Sequence, residues 1–253
     1  MKGSRTQKSV TNTVVSFASQ LIVILLGFLS RRVLIYSVGV EYLGINGLMS
    51  NILTMFSLAE SGIGLAIGYA LYKPLAENDI EQVKSLMRFF KYTYRALAIG
   101  TAAIGIAFYP LLPFFLKDNT APDANLVYWL FLLGSVSSYL WVYKTTLNTS
   151  DQNKYLYTIA STIAQIVVLV LKVLILYFAQ NYILYLAVDI GTTIVKNLIF
   201  CRIVDRRYPY LKDKNVRKLD PEVRKSLFTN IKALFLGKVG YIICLLYTSD
   251  AAD

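Results

Sequence analysis

The sequence predicts an all-α polytopic membrane protein with six spans and the start of a seventh. Three observations carry that fold class. Hydrophobic residues make up 56% of the 253 residues. They fall in blocks of about twenty, long enough to cross a ~30 Å hydrocarbon core at about 1.5 Å per residue. The mean hydropathy is +0.51 although the net charge is +11, so the charge is concentrated between the blocks. Finally, the Lys and Arg residues crowd alternate connections, a bias that membranes impose and soluble cores do not.

The first block, Val14 to Val38, follows a basic N-terminus (Lys2, Arg5, Lys8). No small-residue cleavage site ends it, so it reads as a retained span and not a signal peptide. The second block is Leu43 to Leu71. After Pro74 the pattern Asn78-x-x-Glu81 predicts a helix start, with Ile80, Val83, Met87 and Phe90 on one face. That segment is expected to lie partly on the inner membrane surface, its cations near lipid headgroups, before rising into the third span. The third span is Ala96 to Leu116, with a kink at Pro110 and Pro113; proline removes a helical hydrogen bond. The fourth, fifth and sixth are Leu126 to Tyr143, Leu156 to Phe178 and Tyr182 to Phe200. Residues 1–200 thus read as a six-span transmembrane lobe. Residues 201–230 read as a cytoplasmic basic connector carrying Pro209 and Pro221, and residues 231–243 as the start of a seventh span. Residues 244–253, CLLYTSDAAD, resemble a translated sequencing adapter and read as a non-native tail, so the chain is expected to be a fragment.

Orientation follows from the cations. With the N-terminus inside, the inner segments are 1–13, 72–95, 144–155 and 201–232, and they hold nearly all the Lys and Arg outside the spans. The outer connections hold Lys117 alone. The expected location is a bacterial cytoplasmic membrane with a cytoplasmic N-terminus.

Several function classes lack their chemistry. The chain has no histidine, and its cysteines, Cys201 and Cys244, are too few for a disulfide framework. There is no GxxxxGK[ST] loop, no HExxH and no acidic pair suited to hydrolysis. The outer connections are too short to build an external active site. The expectation is therefore a protein that is not an enzyme, holds no cofactor or metal, and draws any transport from a gradient. The basic connector lacks the aromatic or motif context of a nucleic-acid binder.

Ionisable residues inside spans are expensive unless paired or hydrated, and so mark function. They are Arg31 and Arg32 in the first span, Glu60 in the second, Lys172 in the fifth, Asp189 and Lys196 in the sixth, and Lys238 in the seventh. Arg31, Arg32, Lys172, Lys196 and Lys238 would line a cationic cavity suited to a pyrophosphate, which arginine grips with two hydrogen bonds. Each has a plainer alternative: Arg31 and Arg32 could reach the outer interface, and Lys196 the inner one. Asp189 and Lys196 share a face with Thr192 and Thr193, and could pair only with each other. Glu60 and Asp189 are candidates to carry a coupling H+ or Na+. Gly62, Gly64 and Gly68 offer small surfaces for close helix packing.

The stretch from Gly27 to Val83, notably Tyr-Leu-Gly at 42–44, Leu-Ala-Glu-Ser-Gly at 58–62 and Tyr-Lys-Pro-Leu-Ala-Glu-Asn-Asp at 72–79, resembles the opening of polysaccharide-biosynthesis flippases. These belong to the multidrug/oligosaccharidyl-lipid/polysaccharide exporter superfamily. Ile-Val-Asp-Arg-Arg-Tyr-Pro at 203–209 and Gly-Lys-Val-Gly at 237–240 fit the same pattern. The resemblance implies the N-terminal lobe of a two-lobe transporter that works by alternating access, with a C-terminal lobe absent from this sequence. It implies an undecaprenyl-pyrophosphate-linked oligosaccharide as substrate, and a first-span cation, Arg31 or Arg32, in the central cavity. Three other readings stand beside it: a drug or cation exporter of the same superfamily, a membrane glycosyltransferase or polymerase, and a structural subunit of a polysaccharide-export complex. The surplus of buried cations disfavours the exporter, and the short outer connections disfavour the enzyme.

Overall fold

A computed structural model describes residues 5–116, 123–213 and 215–250; the side chains of residues 5, 55–61 and 241–250 lie outside the described set. The chain folds as helix α1 (Arg5–Val38), α2 (Val40–Glu77), α3 (Ile80–Phe108), a 3-10 turn (Tyr109–Leu111) and α4 (Leu112–Leu116). It continues as α5 (Ala124–Ser150), α6 (Lys154–Phe178), α7 (Tyr182–Arg207), a second 3-10 turn (Pro209–Lys212) and α8 (Pro221–Asp250). No strand occurs among the described residues. Five segments are long and apolar enough to cross a membrane: Thr6–Val38, Ile80–Leu116, Ala124–Ser150, Lys154–Phe178 and Tyr182–Arg207. The protein is all-α, and those segments give it the character of a membrane-embedded chain. The expected second span lies within α2, which is continuous but includes side chains outside the described set.

Local chemistry explains most helix ends. Gly39 stands between α1 and α2 with φ +96°, a conformation that strains any residue with a Cβ. Asn78, Gln152 and Gln180 end α2, α5 and α6 in the left-handed region. The α2–α3 connection is only two residues long. Asn78 closes α2, and it is Asp79 that caps α3, its carboxylate accepting the Gln82 N–H at 3.0 Å. The expected kink at Pro110 is a 3-10 turn that separates α3 from α4. Pro221 stands at the first position of α8, where a missing N–H costs nothing.

The helices pack into two cores. One gathers Leu71, Leu86, Phe90, Tyr94, Val204 and Leu227; the other gathers Leu34, Ile45, Leu112, Tyr128, Leu176 and Tyr185. Because successive helices run in opposite directions, these cores occupy opposite ends of the bundle. The end around the first core is also where the basic segments meet. Lys84 Nζ lies 3.0 Å from Asp213 and also pairs with Glu81, and Lys144 Nζ lies 2.8 Å from Asp205. Ser85 donates to Arg217 O at 2.9 Å, and Asn12 spans the α5–α6 turn, donating to Gln152 O at 2.9 Å and accepting the Tyr155 N–H at 2.7 Å. Within the turn, Asp151 accepts from the Tyr208 hydroxyl and from Asn153, each at 2.7 Å. Burial pushes the Tyr210 phenol up to about 12, with the Asp151 charge adding to it. Tyr208 shifts the same way, first by burial and then by its hydrogen bond to Asp151.

One expectation needs correcting here. Val83, Met87 and Phe90 do form one helical face, but it is buried against protein, packed with Val204, Tyr208 and Leu227. Ile80 is half exposed. The segment and the third span share one helix, α3, which runs unbroken from Ile80 to Phe108. An amphipathic stripe satisfies either a headgroup layer or a neighbouring helix, and the neighbours win because the turn after α7 folds back over it.

Small residues set the helix spacing around α2. A Cβ on Gly62 would lie 2.8 Å from the Phe235 backbone nitrogen, so α2 and α8 are in near backbone contact there. Gly64 faces the Tyr94 hydroxyl of α3, and Gly68 faces Ser150 at the end of α5. Three glycines thus serve three different neighbours, which the helix spacing of 62, 64 and 68 permits.

Candidate functional site

Between the two cores a cleft of about 350 Å3 opens among α1, α6 and α7. Its α6 wall carries Ser161, Gln165 and Lys172, and its α7 wall carries Asp189, Thr192, Thr193 and Lys196. The α1 wall is Val23, Leu26, Gly27 and Ser30. Each wall arises from simple periodicity. Residues 161, 165, 168 and 172 are spaced by four, three and four, and 189, 192, 193 and 196 by three, one and three, so each set lies on one helical face.

The charged groups are organised across helices. Lys172 Nζ lies 3.1 Å from Asp189 Oδ1, with the lysine 12% exposed and the aspartate 48%. The same ammonium sits 4.3 Å from the centroid of the Tyr185 ring, within cation–π range. The Tyr185 hydroxyl is 3.1 Å from Ser30 Oγ, which ties α7 to α1 beside the ion pair. Lys196 is two turns further along α7, half-buried, with its ammonium 5.5 Å from the Tyr157 ring. Asp189 therefore pairs with Lys172 across the helix interface and not with Lys196 along its own helix. A second hollow of about 250 Å3 touches the other side of α7 through Asp189 and Thr193, bounded by Phe131, Gly134 and Ser135 of α5. Asp189 is the one ionisable side chain common to both hollows.

Of the sequence-derived site residues, the structure brings together Lys172, Asp189 and Lys196. Arg31 and Arg32 are exposed on α1, one and two residues beyond the cleft-lining Ser30. Lys238 is exposed on α8, which packs on α2, and does not line this cleft. The side chain of Glu60 lies outside the described residues, as do Lys117, residues 251–253 and the side chains of 244–250, whose backbone continues α8. Sequence reasoning did not single out Tyr185, Tyr157, Ser161, Gln165 or Ser30. The signal for two of them was available: Ser161 and Gln165 are polar residues at helical spacing from Lys172 in an otherwise apolar span. Nothing in sequence marks a tyrosine as a cation–π partner until the helices are docked.

An ammonium held by one carboxylate and one aromatic face, beside a second ammonium and several hydroxyls, makes an anion-binding arrangement with an internal counter-charge. Comparison with protein-family models, with curated proteins and with solved structures found no match.

Proposed function

We propose that this chain is part of a flippase that carries an undecaprenyl-pyrophosphate-linked oligosaccharide across the bacterial cytoplasmic membrane for surface polysaccharide synthesis. The observation that carries the reading is the mid-bundle cleft holding Lys172, Lys196 and Asp189, with hydroxyl and amide side chains from three helices around them. Two ammonium groups suit the two phosphates of a pyrophosphate, and the hydroxyls of Thr192, Thr193 and Ser161 suit sugar hydroxyls. Asp189, paired with Lys172 in that cleft, is a candidate to carry the coupling ion, H+ or Na+. The family resemblance of the stretch 27–83 supports the same substrate class, and the basic segments gathered at one end support a cytoplasmic N-terminus. A second lobe would complete the transport pathway.

The test is translocation in reconstituted vesicles. Labelled undecaprenyl-pyrophosphate oligosaccharide should pass from one leaflet to the other with the wild-type protein. The Lys172→Gln/Lys196→Gln variant should be at least tenfold slower at equal folded amount. Unchanged transport by that variant would overturn the assignment of the cleft.

A further inference from the structure

A second cleft, of about 780 Å3, lies at the basic end of the bundle between α3, residues 217–220 and the start of α8. Five cations border it, Arg88, Arg217, Lys218, Arg224 and Lys225, against one acid, Asp220. Asp220 is already engaged, its carboxylate accepting the Glu222 N–H at 2.9 Å at the start of α8. Arg88 spends one guanidinium N–H on Val216 O at 3.3 Å, which leaves its other donors for a ligand. The floor is aromatic. Phe89 of α3 meets Phe228 of α8 edge-to-face at 5.9 Å, and the Arg224 guanidinium lies 5.8 Å from the Phe228 ring. Tyr92 and Phe228 are 55% and 44% exposed. The cleft sits just before the apolar stretch of α3 that begins at Ala96.

A soluble anion would use the cations but has no use for the floor. An acidic phospholipid uses both, with its phosphate among the cations and the upper acyl chain against Phe89, Tyr92 and Phe228. Tyrosine is enriched where protein meets lipid headgroups, and Tyr92 stands among these rings. The geometry points to a phosphate-headgroup site for an anionic phospholipid, which joins α8 to α3 across a gap that protein atoms leave open. This site is separate from the α1–α6–α7 cleft and stands or falls without it.

The experiment measures phospholipid retention by the full chain in detergent, by native mass spectrometry, with phosphatidylglycerol against phosphatidylcholine. Wild type should retain phosphatidylglycerol selectively. Each cation removed should weaken retention roughly fivefold, so Lys218→Gln/Arg224→Gln should weaken it about twenty-five-fold. Both side chains are exposed, so this variant should fold; Arg88→Gln serves as a second. The control is Arg202→Gln/Arg206→Gln, which removes the same charge from the exposed end of α7 outside the cleft. Its retention should match wild type. Equal loss in the control would reduce the cleft to general attraction between basic residues and acidic membranes, and overturn the proposal. Displacement of the lipid by equimolar inorganic pyrophosphate would overturn it in favour of a soluble anion. Equal retention of both lipids would overturn it outright.

Discussion

Replacing the two members of the Lys172–Asp189 pair should destabilise the protein unequally, and the inequality follows from their burial. At 3.1 Å and an effective dielectric constant of about 20, the attraction is about 5 kcal/mol before desolvation and screening are charged against it. Asp189 is about half exposed whereas Lys172 is nearly covered, so the net value falls well below that figure. Asp189→Asn leaves a covered ammonium whose remaining support is the Tyr185 ring, worth about 1 kcal/mol; we expect a loss of about 2 kcal/mol. Lys172→Met leaves a carboxylate that water in the cleft can still reach, and should cost about 1 kcal/mol or less. Lys172→Met/Asp189→Asn removes both charges and should be close to wild type in stability, with a coupling energy of about 2–3 kcal/mol in the double-mutant cycle. Thermal unfolding in detergent, monitored by circular dichroism, supplies the four values. A larger loss for Lys172→Met than for Asp189→Asn, or additive losses in the double variant, would refute the pairing and the burial order behind it.

Further expectations concern the frame around the site. Gly62→Ala should cost about 1–3 kcal/mol by overpacking, because the atoms its Cβ meets belong to the α8 backbone; an unchanged melting point would contradict the α2–α8 contact. Asn12→Ala removes both hydrogen bonds between α1 and the α5–α6 turn and should cost about 1–3 kcal/mol in the same assay, with Asn12→Asp intermediate. The tyrosines at the basic end fix a pH dependence. The folded-state pKa of Tyr210 is pushed up to about 12 from its ordinary 10.0, and Tyr208 is raised too. Their stabilising contribution is complete below pH 10 and is lost as pH rises towards 12, so the melting point should fall across that window. Asp151→Asn should flatten the fall, since its charge contributes to both shifts.

The helices were legible because span length and loop charge are local properties. Blocks such as Leu156 to Phe178 fall almost residue for residue on α6, and the cations of segments 72–95, 144–155 and 201–232 do converge. The helix extensions were less visible. α3 begins at Ile80 and α7 continues to Arg207, because polar turns beyond a span can stay helical when a neighbouring element covers them. The face of Val83, Met87 and Phe90 was read correctly as a face and assigned to the wrong environment. Periodicity reports that a stripe is buried but not what buries it. The same limit applies at the site. Sequence placed Asp189, Thr192, Thr193 and Lys196 on one stripe of α7 and Lys172 in a cavity with Lys196, yet did not pair Lys172 with Asp189. Pairing across helices depends on their rotation about their axes, which α6 and α7 settle only on docking.

The most direct measurement of the central claim is binding of undecaprenyl pyrophosphate to the purified chain, located by photo-crosslinking. The account expects crosslinks to α6 and α7 between Ser161 and Lys196, and binding at least tenfold weaker in Lys172→Gln/Lys196→Gln. Crosslinks confined to α8 or to the basic end, with affinity unchanged in the lysine variant, would contradict it.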